Sequence, residues 1–211
     1  MSTEQKRMEV FILLDRTGSM ASLWEEAVTS VNAYVRELKM DGAEDRITLA
    51  VFDAYEHGMQ FDVLRRAVAI GKWKDVEVDE VLPRGSTPLL DALMRIITMA
   101  EEVNNEKTAI VVMTDGHENA STEVSMEDAR AALERVKKKN WQLNFLGANF
   151  DGFDQAVGLG VGHGVSLNFY LGQADKAMYS TAHAHSRYRH SKDAIAYSEE
   201  DRKNAGEEEV K

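Results

Sequence analysis

Hydrophobic residues along this chain fall into two alternating patterns. The first is the short, mostly apolar run, at residues 10–14, 47–52, 109–113 and 143–147. Such runs are too short for an ordinary helix and are apolar on both faces, so they read as strands buried on both sides. The second pattern spaces apolar residues three and four apart. Leu23, Ala27, Val31, Tyr34, Val35 and Leu38 form one stripe, and Leu89, Leu93, Ile96, Ile97, Ala100 and Val103 another. Each stripe gives a helix one buried face. Local signals mark the boundaries. Ser22-Leu23-Trp24-Glu25 reads as a capping box opening the first helix, and Asp41-Gly42 closes it. Thr87 as N-cap and Pro88 at the first helical position open the second. Ser125-Met126-Glu127-Asp128 reads as a further capping box, with its helix running to about Lys139. A short edge strand is expected at 59–64, a last strand at 165–169, and a final helix from about Gln173 into the region of His185.

Strands alternating with helices predict an α/β fold: a doubly wound, mostly parallel sheet with helices on both faces, Rossmann-like in its layering. With 211 residues, the chain is long enough to bury about 70% of the surface its unfolded form exposes. The expected domain covers residues 1–190, followed by an acidic, solvated tail at 191–211, because the stretch 198–209 carries no apolar face. A formal net charge of -11 argues against broad nucleic-acid binding, which needs cations to displace counterions. The sequence has no cysteine, which excludes disulfides, thiolate zinc sites and cysteine nucleophiles. The polar opening lacks the long apolar segment of a signal peptide, and no run approaches the ~18 apolar residues of a membrane span. The cytoplasm is therefore the expected compartment.

Candidate chemistry starts where the first strand ends, at Asp15-Arg16-Thr17-Gly18-Ser19-Met20. A carboxylate and two hydroxyls stand at alternate positions, and hard divalent cations prefer oxygen ligands of this kind. Two further segments carry similar groups on loops that one sheet end can bring together. These are Thr87 in Gly85-Ser86-Thr87-Pro88 and Asp115 in Thr114-Asp115-Gly116, the latter directly after the most strongly apolar strand. Paired carboxylates repel, and a divalent cation removes that repulsion. Magnesium keeps several waters, so such a site has room for an outside ligand.

On these three segments the chain resembles the von Willebrand factor type A domains and their metal-ion-dependent adhesion site. That pattern is Asp-x-Ser-x-Ser, then a Thr, then an Asp. Asp15, Ser19, Thr87 and Asp115 match it, and Thr17 replaces a serine while keeping the hydroxyl. The resemblance spans roughly residues 8–170. It implies Mg2+ or Mn2+ held by Asp15, Thr17, Ser19, Thr87 and Asp115, the aspartates often acting through water. It further implies a non-enzymatic, protein-binding role, with a partner's Asp or Glu completing the metal shell. Short cytoplasmic members of this family belong to assemblies such as AAA-type ATPase complexes and look prokaryotic or phage-borne.

Other residues have more ordinary readings. Asp53 ends a strand without surrounding hydroxyls. His117-Glu118 lacks the second histidine of a zincin, since Ser121 stands there, but either residue could act as base in a metal-dependent hydrolase. Gly158, Gly160, Gly162 and Gly164 precede a strand instead of following one, so they read as a flexible connection and not a dinucleotide loop. His183, His185, Arg187, Arg189, His190 and Lys192 form a basic cluster that reads as a solvated helix end, with a nucleic-acid-associated scaffold as the alternative. Trp24, Trp73 and Trp141 read as core or half-buried residues.

Overall fold

The structure, a computed structural model, describes residues 7–42, 44–148 and 158–207. Six strands form one sheet in the order β3-β2-β1-β4-β5-β6. They are β1 (Glu9–Asp15), β2 (Arg46–Ala54), β3 (Met59–Ala69), β4 (Thr108–Thr114), β5 (Gln142–Ala148) and β6 (Ser166–Phe169). All neighbours pair in parallel except β2 with β3. The chain winds outward from β1 to β3, then crosses back to β4 and winds the other way. The carboxyl ends of β1 and β4 therefore flank the point where strand order reverses, which is where open α/β sheets collect ligands.

The alternating side chains of β1 feed two cores. Val10, Ile12 and Leu14 join the layer under α1 (Trp24–Leu38) and α4 (Ala174–His190). Phe11 and Leu13 join the layer under α2 (Leu89–Val103) and α3 (Met126–Lys138). All six residues of the first predicted helical stripe are buried. The Glu26 carboxylate, in the first turn of α1, accepts from the amides of Gly172 (2.8 Å) and Ala174 (2.6 Å), so α1 caps the start of α4. Trp24 and Trp141 are buried and Trp73 half-buried.

Several boundaries differ from the sequence expectation. Ser125 and Asp128 do form a capping box. Ser22 and Glu25 do not. Residues 18–22 wind into a 3-10 turn that places Leu23 at the N-cap of α1. The N-cap of α2 is Pro88, one residue later than expected, and distant groups do the capping: Leu90 N–H donates to Glu118 Oε2 (2.9 Å) and to Ser121 Oγ (3.1 Å). Thr87 is thus relieved of the capping role. β3 is longer than the expected edge strand, running to Ala69, with register shifts in its pairing between Ile47 and Leu49 and between Leu49 and Ala50.

The expectation of a solvated tail fails for residues 191–207. Ser198 and Asp201 form a capping box for α5 (Glu199–Asn204), and Asp201 pairs with Arg187 of α4. Tyr197 and Ala205 are buried. Arg202 donates to the carbonyls of Ser166 and His163, while Glu207 accepts from Asn168 N–H, covering the outer edge of β6. The signal was present in Ser198-x-x-Asp201 but was outweighed by the acidic composition. Residues 208–211 of that expected tail lie outside the described residues, as do residues 1–6 of the polar opening. No helix among the described residues is long and apolar enough to cross a membrane.

Candidate metal centre

Asp15 is the last residue of β1 and is fully buried. Its Oδ1 accepts from Thr17 N–H at 2.7 Å, which turns the chain sharply as it leaves the sheet. Its Oδ2 accepts from Thr114 Oγ1 at 2.5 Å, which ties the end of β1 to the end of β4. The turn presents two hydroxyls side by side: Thr17 Oγ1 and Ser19 Oγ are 3.1 Å apart. Ser19 Oγ donates to Asp115 Oδ1 at 2.7 Å. Thr87 arrives from the third segment. A Cβ placed on Gly116 would stand 3.1 Å from Thr87 Oγ1 and 3.4 Å from Ser19 Oγ, so both hydroxyls border the same small space. Thr87 is fixed there by a reciprocal pair with Asn119: Thr87 N–H donates to Asn119 Oδ1 (2.8 Å) and Asn119 N–H to Thr87 O (3.0 Å). The structure therefore brings Asp15, Thr17, Ser19, Thr87 and Asp115 together.

Burial governs the electrostatics of this cluster. Removal from water pushes the Asp15 carboxyl up to about 6, against the hydrogen bonds from Thr114 and Thr17 that favour its charged form; the Asp115 charge raises it further. Burial likewise raises Asp115, opposed by the Ser19 hydrogen bond. The cluster thus holds two acids that are costly to ionise without a countercharge, together with three hydroxyls. That donor set fits a hard divalent cation. Gly116 strengthens the fit, because a side chain there would crowd the two hydroxyls. Clusters of three or more His, Cys, Asp or Glu suited to a metal are absent among the described residues. The hydroxyl-rich composition of this site is what sets it apart from such a cluster.

The residues around the cluster were less visible in sequence. Asp53, at the end of β2, is fully buried and receives two arginines: Arg16 Nη2 at 2.6 Å and Arg84 Nε at 2.8 Å. Its place is beside the oxygen cluster and not in it. Asp91 in α2 accepts from the amides of Thr122, Glu123 and Val124, and so shapes the loop that carries Asp115. Glu118 accepts from Ala120 N–H, Ser121 N–H, Ser121 Oγ and Leu90 N–H. A carboxylate occupied in this way serves as a loop and helix cap, which weakens its candidacy as a general base.

Two members of the basic cluster, His185 and Arg189 of α4, are turned inward, while His183, Arg187, His190 and Lys192 stay exposed. His185 is fully buried, with Nδ1 2.5 Å from Tyr34 Oη and Nε2 2.7 Å from Asn144 Oδ1. Arg189 pairs with Asp45 and Arg187 with Asp201, while His183 lies 3.3 Å from Glu37 at the surface. The reading of a solvated helix end therefore fails for His185 and Arg189. A helix end read from charge alone misses partners supplied by strands and loops distant in sequence.

No protein-family model matches this sequence, and no curated protein matches it. Solved structures do match. The manganese-loaded TRAP protein of Plasmodium vivax aligns over 84% of this chain and 74% of its own, with 17% identity and a TM-score of 0.57. The vWF domain of the type V pili tip protein Mfa5 from Porphyromonas gingivalis aligns over 85% and 95%, with 10% identity and a TM-score of 0.63. The SpRpn10 VWA domain aligns over 90% and 100%, with 15% identity and a TM-score of 0.57. Other matched proteins are longer, and this chain spans 63%, 46% and 43% of three of them. Strand order, layering and these matches together show that the chain has the von Willebrand factor type A fold.

Proposed function

We propose that this protein is a divalent-cation-dependent protein-binding module, with Asp15, Thr17, Ser19, Thr87 and Asp115 holding Mg2+ or Mn2+. The observation that carries this reading is the meeting of a buried carboxylate, Asp15, and a half-buried one, Asp115, with three hydroxyls at the reversal point of the sheet. A bound cation would neutralise both carboxylates and offer a coordination position to an Asp or Glu of a partner protein. The chain's own residues do the rest. Asp15 anchors the turn, Thr114 orients Asp15, and the Thr87–Asn119 pair holds the third segment in place. The manganese-loaded state of the Plasmodium vivax TRAP protein supports the choice of cation. The reading is non-enzymatic, in line with the occupied carboxylate of Glu118.

The wider role we propose is that of an intracellular adaptor or assembly factor, with an AAA-type ATPase complex as one partner implied by the sequence resemblance. Pairing of Arg187 with Asp201 and of the buried Arg189 with Asp45 leaves less free positive charge for a nucleic-acid scaffold. Thermal unfolding with and without Mg2+ or Mn2+ tests the site. Cation at a hundredfold over its dissociation constant should stabilise by about 2.7 kcal/mol if it binds only the folded state. Asp15→Ala should abolish that gain. A melting curve indifferent to both cations would sink the proposal. Affinity capture from the native host, with and without chelator, then tests the partner, and cell fractionation tests the compartment.

A further inference from the structure

Arg16 occupies the second position of Asp15-Arg16-Thr17-Gly18-Ser19, between two of the cluster's residues, yet its side chain faces away from them. It is 4% exposed, and its guanidinium reaches Asp53 at 2.6 Å and Asp62 at 2.8 Å. Asp53 also takes Arg84 Nε at 2.8 Å. Arg84 lies three residues before Thr87, and its guanidinium covers the Tyr55 ring at 5.1 Å. Backbone bonds run alongside. Arg84 N–H donates to Arg16 O (2.9 Å), Gly18 N–H to Gly85 O (3.1 Å), and Ala54 and Ser86 exchange bonds in both directions (2.9 and 3.0 Å). Gly85, at φ +70, lies so close against the Ala54 carbonyl that a Cβ there would collide with it.

We infer that Asp53, Arg16 and Arg84 form a charged clamp that fixes the Thr17–Ser19 turn against the Thr87 loop, setting the spacing of the three hydroxyls before any cation arrives. The inference rests on the metal-site reading above. Burying a guanidinium is expensive unless it is paired, and removing one partner of such a pair is strongly disruptive. Here that cost is borne at the one place where two segments 68 positions apart must hold ligand hydroxyls in register (Ser19 to Thr87). Asp53 is the pivot because it sits on neither loop. It belongs to β2, which is fixed in the sheet, so each arginine is referenced to the same rigid point. These three are positioning residues: they touch the ligands' loops and not the cation. Groups of that kind typically change metal affinity 10- to 100-fold when lost.

The test measures Mn2+ affinity by titration, together with melting in chelator, for the wild type, Asp53→Asn, Arg16→Met, the double variant and Arg84→Ala. The expected result is a 10- to 100-fold weaker Mn2+ affinity in Asp53→Asn and in Arg16→Met, at temperatures where every variant remains folded. The double variant should be about as weak as either single one, because both remove the same clamp. Arg84→Ala removes the more exposed arm and should weaken affinity in the same direction with little loss of folding, so it decides the matter if the buried variants do not fold. Lower melting temperatures with unchanged Mn2+ affinity would show a purely structural ion pair and overturn the inference. Restored affinity in the double variant would also overturn it, since the pair would then act through charge and not position. A wild type that binds no Mn2+ would overturn the metal site itself, and the clamp with it.

Discussion

The molecule holds two polar clusters, a partly buried one at the carboxyl ends of the strands and a buried one beneath α4, and they are built on opposite rules. Beneath α4, formal charge is balanced or absent. Asp45 faces Arg189, and His185 is held neutral between Tyr34 and Asn144. At the carboxyl end, Asp15 accepts from Thr17 N–H and the Thr114 hydroxyl and Asp115 from the Ser19 hydroxyl, while Arg16, the chain neighbour of Asp15, is not among these donors. The arginine is directed to Asp53 and Asp62 instead. A cluster that sets two acids against hydroxyls and amides, while the arginine next to Asp15 is turned elsewhere, suits a ligand from outside. A cluster that cancels its own charge suits a fixed contact.

Acid should separate the two most strongly. Burial, with the nearby Arg189 charge adding to it, holds the His185 imidazole down at about 3 against an ordinary value near 6.5. Between those values the unfolded chain binds the proton and the folded one does not, so stability falls as pH falls. The slope is about 1.4 kcal/mol per pH unit, or roughly 5 kcal/mol across the window. Asp15 behaves oppositely. Its folded value of about 6 exceeds the reference 3.8, so its contribution is present below the reference value and is lost as pH rises to 6. The acid limb of a denaturant-melt series should therefore flatten in His185→Gln and steepen in Asp15→Asn. Identical limbs in wild type and His185→Gln would remove the neutral-histidine account.

Next in size is Tyr197→Ala. Tyr197 is buried, its Oη lies 2.7 Å from Thr181 Oγ1, and its N–H donates to Gly164 O. Truncating a buried aromatic costs about 3–5 kcal/mol. Loss of the 191–207 segment's anchorage should also bare the β6 edge and promote self-association, which light scattering would detect. Cation affinity should be unaffected. A smaller effect is expected for Asp15→Asn in chelator at pH 8. Relieving a buried carboxylate held about two pH units above its reference should stabilise the cation-free protein by roughly 3 kcal/mol, while abolishing stabilisation by Mg2+. A destabilised variant in chelator would mean that Asp15 serves the fold before any ligand.

Much of the carboxyl-end cluster was legible in the sequence, and little of the other one was. Asp15, Thr17 and Ser19 are local to one turn, Asp115 follows the most strongly apolar strand and Thr87 precedes a helix. The three segments could therefore be read as loops that one sheet end can bring together, and the resemblance implied their meeting. The strands were legible because β1 and β4 carry unbroken apolar runs and those of β2 and β5 are each interrupted by a single polar residue, Thr48 and Asn144. The clamp was not legible: Arg16 and Asp53 are 37 positions apart, and neither residue type implies the other. The same holds for Arg189 and Asp45, 144 positions apart, which is why α4 read as a solvated end. Residues 191–207 were misread because composition was weighed above the Ser198-x-x-Asp201 cap and the single aromatic Tyr197. In each miss the deciding contact lay between segments that no periodic pattern links.

A matched pair of glycines gives the finest version of the contrast. A Cβ on Gly42 would collide with the Arg189 guanidinium and the Asp45 carboxylate, a pair already fixed by packing. A Cβ on Gly116 would come 3.1 Å from Thr87 Oγ1 and 3.4 Å from Ser19 Oγ, displacing hydroxyls by only a few tenths of an ångström. Gly42→Ala should therefore lower melting temperature and leave Mn2+ affinity intact. Gly116→Ala should do the reverse, with a stability change within about 0.5 kcal/mol and a severalfold loss of affinity, since oxygen ligands tolerate little displacement around a small cation. If Gly116→Ala costs stability and spares affinity, the space bordered by Ser19 and Thr87 is a packing contact like the one beneath α4. The two clusters would then differ in composition but not in kind.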